Sequence, residues 1–387
     1  MKLDSNFIVQ SAETTKTPFY MYNLSLLEET LDKAISASSK YNYKVHYALK
    51  ANCDPKVLDL ISSKGFGADC VSGNEILKAV EHNFDKQHIA FAGVGKTDDE
   101  INTALDNDIF TFNCESIQEI EVINELAEAK NKIAPIALRI NPNVNANTHK
   151  YITTGLEENK FGINKWEFEK ILEVLDACKC IKLTGLHFHI GSQIVDLSAY
   201  RSLCLKVNEI QQWFNERNIL LQHINVGGGL GIDYYQPDIN PIVDFEGFFG
   251  IFNDFLELQP RQELHFELGR SLVGTMGDLI SKVLYIKNGQ RTDFAIIDAG
   301  MTELIRPALY QSYHKIENVS KKNDPIDKFY DVVGPICESS DCFGKRIKLT
   351  STERGDLIAI RCAGAYGEVM ANQYNLRKIA PVVYYDK

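Results

Sequence analysis

The sequence predicts an α/β protein, a (β/α)8 TIM barrel followed by a second, mostly β-stranded domain. Three observations carry that prediction. The chain has 387 residues, more than one hydrophobic core usually organises. From about residue 25, amphipathic helical stretches alternate with short apolar or β-branched runs, which is the pattern of βα units around a parallel sheet. After about Arg270 the helices stop recurring while strand-like runs continue. The expected division is a barrel over residues 25–270 and a β domain made of residues 1–24 with 271–387.

Eight strand candidates fall in the first part: Tyr43 to Lys50, Phe66 to Val71, His88 to Phe91, Phe110 to Cys114, Ala134 to Asn141, Lys182 to Ile190, Leu221 to Val226 and Glu263 to Leu268. Eight is the number that closes a TIM barrel. Between them lie helices such as Asn74 to His82, Ser116 to Ala129, Lys165 to Cys178 and Tyr200 to Arg217, with apolar residues three and four apart. The later runs are Ser281 to Ile286, Asp293 to Ile297, Tyr330 to Val333 and Asp356 to Arg361, joined by an extended N-terminal segment, Phe19 to Asn23.

Composition narrows the function. Hydrophobic residues make up 44% and charged ones 24%, with no low-complexity tract, so a packed globular protein is expected rather than a disordered one. The formal net charge is -11 and Lys and Arg form no run, which leaves no footprint for nucleic acid or an anionic membrane surface. Met1 to Gln10 contains no apolar core of a signal peptide, and nowhere do eighteen apolar residues run together, so a cytoplasmic location is expected. Nine cysteines, an odd number without an export signal, read as reduced thiols. Cys178 and Cys180 read as ordinary thiols, and Cys337 and Cys342 have no partners at ligand spacing, so no metal is expected.

In such a barrel the chemistry sits where the strands end. Lys50 ends the first strand, Asp69 lies near the end of the second, His189 near the end of the sixth, Gly227 to Gly229 follow the seventh, and Glu267 and Arg270 close the eighth. The glycine run is either a tight turn or a cradle of backbone N–H groups for a phosphate. Its place after strand seven favours the phosphate. His187 and His189 share one strand face. They are either a metal pair or one packed histidine with a neighbour in the mouth, and no carboxylate-rich ligand set accompanies them. On the second reading His189 offers a flat surface to a cofactor ring and Ser192 donates to phosphate. Lys50 is either a snorkelling lysine or a desolvated amine suited to Schiff-base chemistry.

Together with Glu267-Leu268-Gly269-Arg270 these features resemble the fold-type III pyridoxal-phosphate enzymes, the group of ornithine, arginine and diaminopimelate decarboxylases and alanine racemase. The motifs run in family order through Tyr47 to Asn52, Gly67 to Ser72, His187 to Gln193, Gly227 to Gly231, Glu267 to Arg270, Asp298 to Tyr310, Val333 to Cys342 and Gly364 to Gly367. The resemblance implies pyridoxal 5'-phosphate as cofactor, with Lys50 bonded to it. It places Gly229, Ser192 and Tyr366 at the phosphate, and Asp69, His189, Gly228, Leu268, Gly269 and Arg270 in the same cofactor site. Glu267 then faces the ring nitrogen, where racemases of this fold carry an arginine, so decarboxylation is expected. Leu268 replaces the usual proline of the family, a change expected to affect backbone stiffness rather than chemistry.

The run Cys337-Glu338-Ser339-Ser340-Asp341 resembles the family's catalytic cysteine loop, which reaches across a dimer interface. That implies a homodimer with shared sites and a catalytic set of Lys50, Cys337, Glu267 and His189, with Cys337 returning a proton to the α-carbon. Read without its neighbours, Cys337 has a lesser alternative as a half-buried structural thiol. Arg306-Pro307-Ala308-Leu309-Tyr310 resembles the pattern in which arginine and tyrosine receive a distal carboxylate, through the bidentate geometry that guanidinium offers. Arg270 and Tyr366 join that contact and Glu338 takes a distal ammonium. The implied reaction is decarboxylation of meso-2,6-diaminopimelate to L-lysine. The alternatives are a polyamine-pathway decarboxylase acting on ornithine, arginine or carboxynorspermidine, or a cofactor carrier without turnover. The polar stretch Asn143 to Lys160 is either a lid or a long solvated connection.

Overall fold

The computed structural model describes residues 4–144 and 160–386. The stretch Asn143 to Lys160, expected as a lid or a connection, therefore lies outside the described residues over 145–159. The chain divides into two compact units, Leu31–Gly231 with Asp244–Gly269, and Met1–Thr30 with Ile232–Val243 and Arg270–Lys387.

In chain order the strands are β1 (Phe19–Asn23), β2 (Lys44–Ala48), β3 (Gly67–Cys70), β4 (Ile89–Phe91), β5 (Thr111–Cys114), β6 (Ala134–Arg139), β7 (Ile181–His187) and β8 (His223–Asn225). They continue as β9 (Glu263–Leu268), β10 (Gly277–Lys287), β11 (Asp293–Ile297), β12 (Ile316–Asn318), β13 (Ile326–Val333), β14 (Cys342–Thr350), β15 (Leu357–Ile360) and β16 (Val382–Tyr385). Strands β2 to β9 close into a barrel in which every neighbour runs parallel, with β9 returning to β2. This is the expected TIM barrel.

Parallel strands are covered on both faces, so their residues are buried nearly without interruption. Alternation then decides which residues turn inward. On β9, Leu264, Phe266 and Leu268 share one face, and the Phe266 ring lies 4.9 Å from those of Phe249 and Phe252 on the helix Phe245–Phe255. His265 and Glu267 share the opposite face. The rings of His46 and His223 need room that only glycine leaves: a Cβ on Gly67 would strike His46, and one on Gly185 would strike His223.

The helices after the strands start where side-chain caps fix them. Asp54 caps Pro55–Ser63, with proline in the first turn, and Ser72 caps Gly73–Glu81. Thr97 and Glu100 form a reciprocal capping box at Asp98–Asp106, and Ser116 caps Ile117–Ala129. Each cap satisfies backbone donors that a helix start otherwise leaves open, and together they hold the short loops leading out of the strand ends.

In the other unit the strand order is β12-β15-β10-β11-β13-β14, with β1 paired to β10 and β16. The expected extended segment Phe19 to Asn23 is β1, antiparallel to β10. Three strands and the helices Ser5–Thr14, Arg270–Val273 and Arg306–Tyr310 were not foreseen. Strand β12 has only three residues, β14 carries Lys345, Arg346 and Lys348 on exposed positions, and β16 is a short terminal run. The helix Ser5–Thr14 starts on an Asp4 cap and buries Ile8.

The compact units differ from the expected 25–270 division. Residues 232–243 leave the barrel half, because Ile232 and Tyr234 pack with Cys362, and Arg270 groups with the β unit. No helix among the described residues is long and apolar enough to cross a membrane. All nine cysteines are free thiols.

Candidate active site

Lys50 stands in a single 3-10 turn, Leu49–Ala51, just past β2. Its Nζ lies 3.1 Å from Asp69 Oδ2 on β3, and the lysine side chain is 39% exposed where that of Asp69 is 1% exposed. Burial pushes the Asp69 carboxyl above its usual range and the Glu267 charge adds to this, while Lys50 opposes both. The other Asp69 oxygen, Oδ1, is buried and makes no hydrogen bond.

Glu267, at the end of β9, is held on both oxygens. Oε1 accepts from Asn113 Nδ2 at 3.1 Å and Asn225 Nδ2 at 2.8 Å, and Oε2 pairs with His187 Nε2 at 3.0 Å. Burial by itself raises this carboxyl, but the His187 contact and the Lys50 charge outweigh it and hold Glu267 below the usual carboxylate range. The result is an ionised carboxylate fixed by three side chains, the environment that lowers a carboxyl pKa. The two histidines of the sixth barrel strand thus part company: His187 is buried against Glu267, and His189, beyond the end of β7, is half-buried. Burial and the nearby charges of Arg139 and Lys50 keep His189 neutral, and its Nδ1 accepts from the Gly228 N–H at 3.3 Å.

The glycine run behaves as more than a turn. Gly227 and Gly229 have φ of +69° and +94°, where other residues are strained. A Cβ on Gly228 would strike the Glu267 carbonyl, and one on Gly229 the Gly191 carbonyl. Ile194 N–H donates to the Gly229 carbonyl at 2.8 Å and Gly231 N–H to the Ile194 carbonyl at 2.9 Å, so the turn carrying Ser192 runs beside the run. That is a side-chain-free cradle suited to a phosphate. The ionised Glu267, the Lys50 amine, the unused Asp69 oxygen and this cradle fit pyridoxal phosphate. Leu268 has its side chain on the outer face of β9 with Phe266, so only its backbone and that of Gly269 are available to a ligand on the inner face.

In the other unit, Arg270 and Arg306 are both buried. Their Nη1 atoms donate to the Tyr234 hydroxyl oxygen at 2.6 and 2.8 Å. The Arg270 guanidinium also lies over the Tyr366 ring, 4.8 Å from its centre. Tyr310 ends the short helix Arg306–Tyr310 and is half-buried. Cys337 and Glu338 are exposed. Their loop is pinned by Asp341, whose oxygens accept from Met301 N–H at 2.6 Å and Ile336 N–H at 2.7 Å. Glu338 accepts from the Tyr374 hydroxyl at 2.8 Å.

Comparison with known proteins gives these features a family. Residues 26–274 match the model of the pyridoxal-dependent decarboxylases, pyridoxal binding domain. A diaminopimelate decarboxylase of Bacteroides thetaiotaomicron is 56% identical over 374 residues, which cover 96% of each chain. This chain belongs to the diaminopimelate decarboxylase family. Among solved members of the family, the Helicobacter pylori enzyme complexed with L-lysine superposes with a TM-score of 0.91 at 37% identity, covering 98% of this chain and 94% of that one. The M. jannaschii enzyme in co-complex with L-lysine gives 0.88 at 36% identity, with 98% and 89% covered.

Sequence reasoning named Glu267 but not what holds it. Asn113, His187 and Asn225 were legible in principle, since each lies on the inward face near a strand end. Tyr234 and His314 carried no such signal, because nothing in their local patterns marks them as neighbours of an arginine.

Proposed function

We propose that this protein removes carbon dioxide from the D-configured centre of meso-2,6-diaminopimelate and releases L-lysine, using pyridoxal phosphate as cofactor. The bound cofactor supplies a sink for the electrons left when carbon dioxide departs. Lys50 is the amine that would hold it covalently. Glu267, ionised and tied by three side chains, keeps a proton on the ring nitrogen. Neutral His189 would face the ring, and Gly228, Gly229, Ser192 and Tyr366 would hold the phosphate. Asp69 holds the Lys50 amine in place, and Cys337 returns a proton to the α-carbon.

The observation that carries the choice of substrate is the state of Arg306. It is 5% exposed, yet its partners are a phenol, an imidazole and a hydroxyl, and its Nε makes no hydrogen bond. Among the described residues no carboxylate pairs with it. A buried cation left without an anion is costly, and a substrate with a carboxylate at its far end relieves that cost. Arg270, Tyr310 and Tyr366 serve the same group, and Glu338 takes the far ammonium. The lysine found in two solved relatives supports this reading, since lysine retains that far carboxylate.

Purified protein with added pyridoxal phosphate should release carbon dioxide and lysine from meso-diaminopimelate, and Arg306→Ala should raise KM at least tenfold, the usual weight of a contact to a charged group. Faster turnover of ornithine than of diaminopimelate rejects the assignment. The enzyme works in the cytoplasm as a homodimer in which the exposed Cys337 loop serves the partner's barrel. Inactive Lys50→Ala and Cys337→Ala proteins should then regain activity on mixing, and no recovery counts against the shared site.

A further inference from the structure

Two arginines on one neutral oxygen repel each other, so something must set their spacing. The Tyr234 hydroxyl accepts from Arg270 Nη1 at 2.6 Å and from Arg306 Nη1 at 2.8 Å. Its ring also lies under both cations, 5.3 Å from the Arg306 guanidinium carbon and 6.0 Å from that of Arg270. Phenol and ring together hold two like charges at a fixed separation, by hydrogen bonding and by cation–π attraction.

Tyr234 is itself fixed. Its ring is buried with Ile232 and Cys362, and the His314 ring meets it edge-on at 5.1 Å and 79°. His314 Nδ1 faces the Arg361 carbonyl at 2.8 Å and must carry the hydrogen there, which leaves Nε2 to accept from Arg306 Nη1 at 3.2 Å. Burial and the Arg306 charge keep that imidazole neutral. The carboxylates of this neighbourhood go elsewhere: Asp278 pairs with Arg361 at 3.0 Å, Asp238 at 3.1 Å and Glu317 at 2.7 Å. The side chains hydrogen-bonded to Arg306 are thus a phenol, a neutral imidazole and a hydroxyl, none of them an anion, and its charge stays available.

We propose that Tyr234 is the positioning residue that spaces Arg270 and Arg306 for a ligand carboxylate, and so sets the preference for amino acids that carry an acid group at the end remote from the reacting carbon. The inference rests on the reading of Arg306 given above. Tyr234 acts through the two guanidiniums, with His314 as the neutral support behind one of them. A carboxylate on the substrate binds equally in ground and transition states, so the loss appears in KM and not in kcat.

The test is Tyr234→Phe in the holoenzyme, which keeps the ring and its packing and removes only the shared oxygen. The KM for meso-diaminopimelate and the inhibition constant of L-lysine should each rise about tenfold, with kcat and the absorbance of bound cofactor unchanged. The inhibition constant of 1,5-diaminopentane, the lysine skeleton without its carboxylate, should not move. An unchanged KM and lysine inhibition in Tyr234→Phe, when Arg306→Ala raises both, overturns the positioning role alone. Unchanged values in both variants overturn the reading of Arg306 beneath it. Equal weakening of lysine and diaminopentane shows a general disturbance and also rejects the proposal.

Discussion

The interior of one barrel holds two polar layers two residues apart, and they are built on opposite principles. Nearer the strand starts, His46, His223 and His265 form a floor. His46 Nε2 and His265 Nδ1 lie 2.7 Å apart, and the Phe110 ring stacks on His265 at 5.0 Å and meets His223 at 4.8 Å. Burial pushes all three histidines below their usual range, His46 to about 3. Charged groups stand around rather than within this layer: Glu263 and Lys44 beside His265, Glu267 toward His46, and His88 near both. Nearer the strand ends, the same faces of β7, β8 and β9 carry His187, Asn225 and Glu267, with Asp69 and Lys50 close by. There the carboxylates are ionised or contested by real charges. The same barrel thus fills one end with rings that pack and hydrogen-bond among themselves, and keeps charged side chains at the other.

The sharpest break between the layers is Lys50→Ala. It should abolish turnover and the visible absorbance of lysine-bound cofactor while leaving the fold intact, because the amine that makes the bond is gone. Residual turnover above background contradicts the role of Lys50. Next in size is Glu267→Gln. Replacing an ionised carboxylate by a neutral amide of the same shape should lower kcat roughly a hundredfold, the scale of losing one preorganised electrostatic contact, with little change in folding. Full activity would mean that the mouth layer is as inert as the floor.

The floor should answer to pH and not to substrate. The folded pKa values of its histidines lie below the unfolded value near 6.5, so the unfolded chain takes up protons first as pH falls. The stability the floor contributes is complete above about pH 6.5 and drains away toward the folded values. His46, held at about 3, costs about 2 kcal/mol at pH 5 relative to neutral pH, and His223 and His265 act in the same direction. His223→Phe, which keeps a ring against Phe110, should flatten the acid side of the melting-temperature profile by a few degrees and leave kcat within about twofold. A large loss of activity with no change in acid stability would erase the distinction between the layers.

How legible this was depended on the kind of signal. The barrel showed in the sequence because eight apolar runs recur at βα spacing, and Glu263–Leu268 and Asp293–Ile297 fall where the pattern places them. Lys50, Asp69, Glu267 and the glycine run were legible because their types are improbable at strand ends without a task. The supports of Glu267 were not, since Asn113 and Asn225 reveal their role only once strand tilt brings β5, β8 and β9 around one carboxylate. Tyr234 was invisible for a stronger reason. Its segment reads as loop, and its partners Arg270 and Arg306 lie 36 and 72 residues away in the chain. Strands β12 and β14 escaped because a three-residue strand and one studded with lysine and arginine carry no alternation to detect.

The claim everything else depends on is that the amine at the mouth, and not another lysine, carries the cofactor. Among the described residues a competitor is Lys96, whose side chain is 1% exposed and is tied to Glu119 at 2.5 Å and to two backbone carbonyls. Borohydride reduction of the pyridoxal-phosphate-loaded protein, followed by peptide mapping, reads the answer directly. A stable pyridoxyl adduct on Lys50 alone is expected. An adduct on Lys96 or any other lysine, or none at all, would contradict that claim.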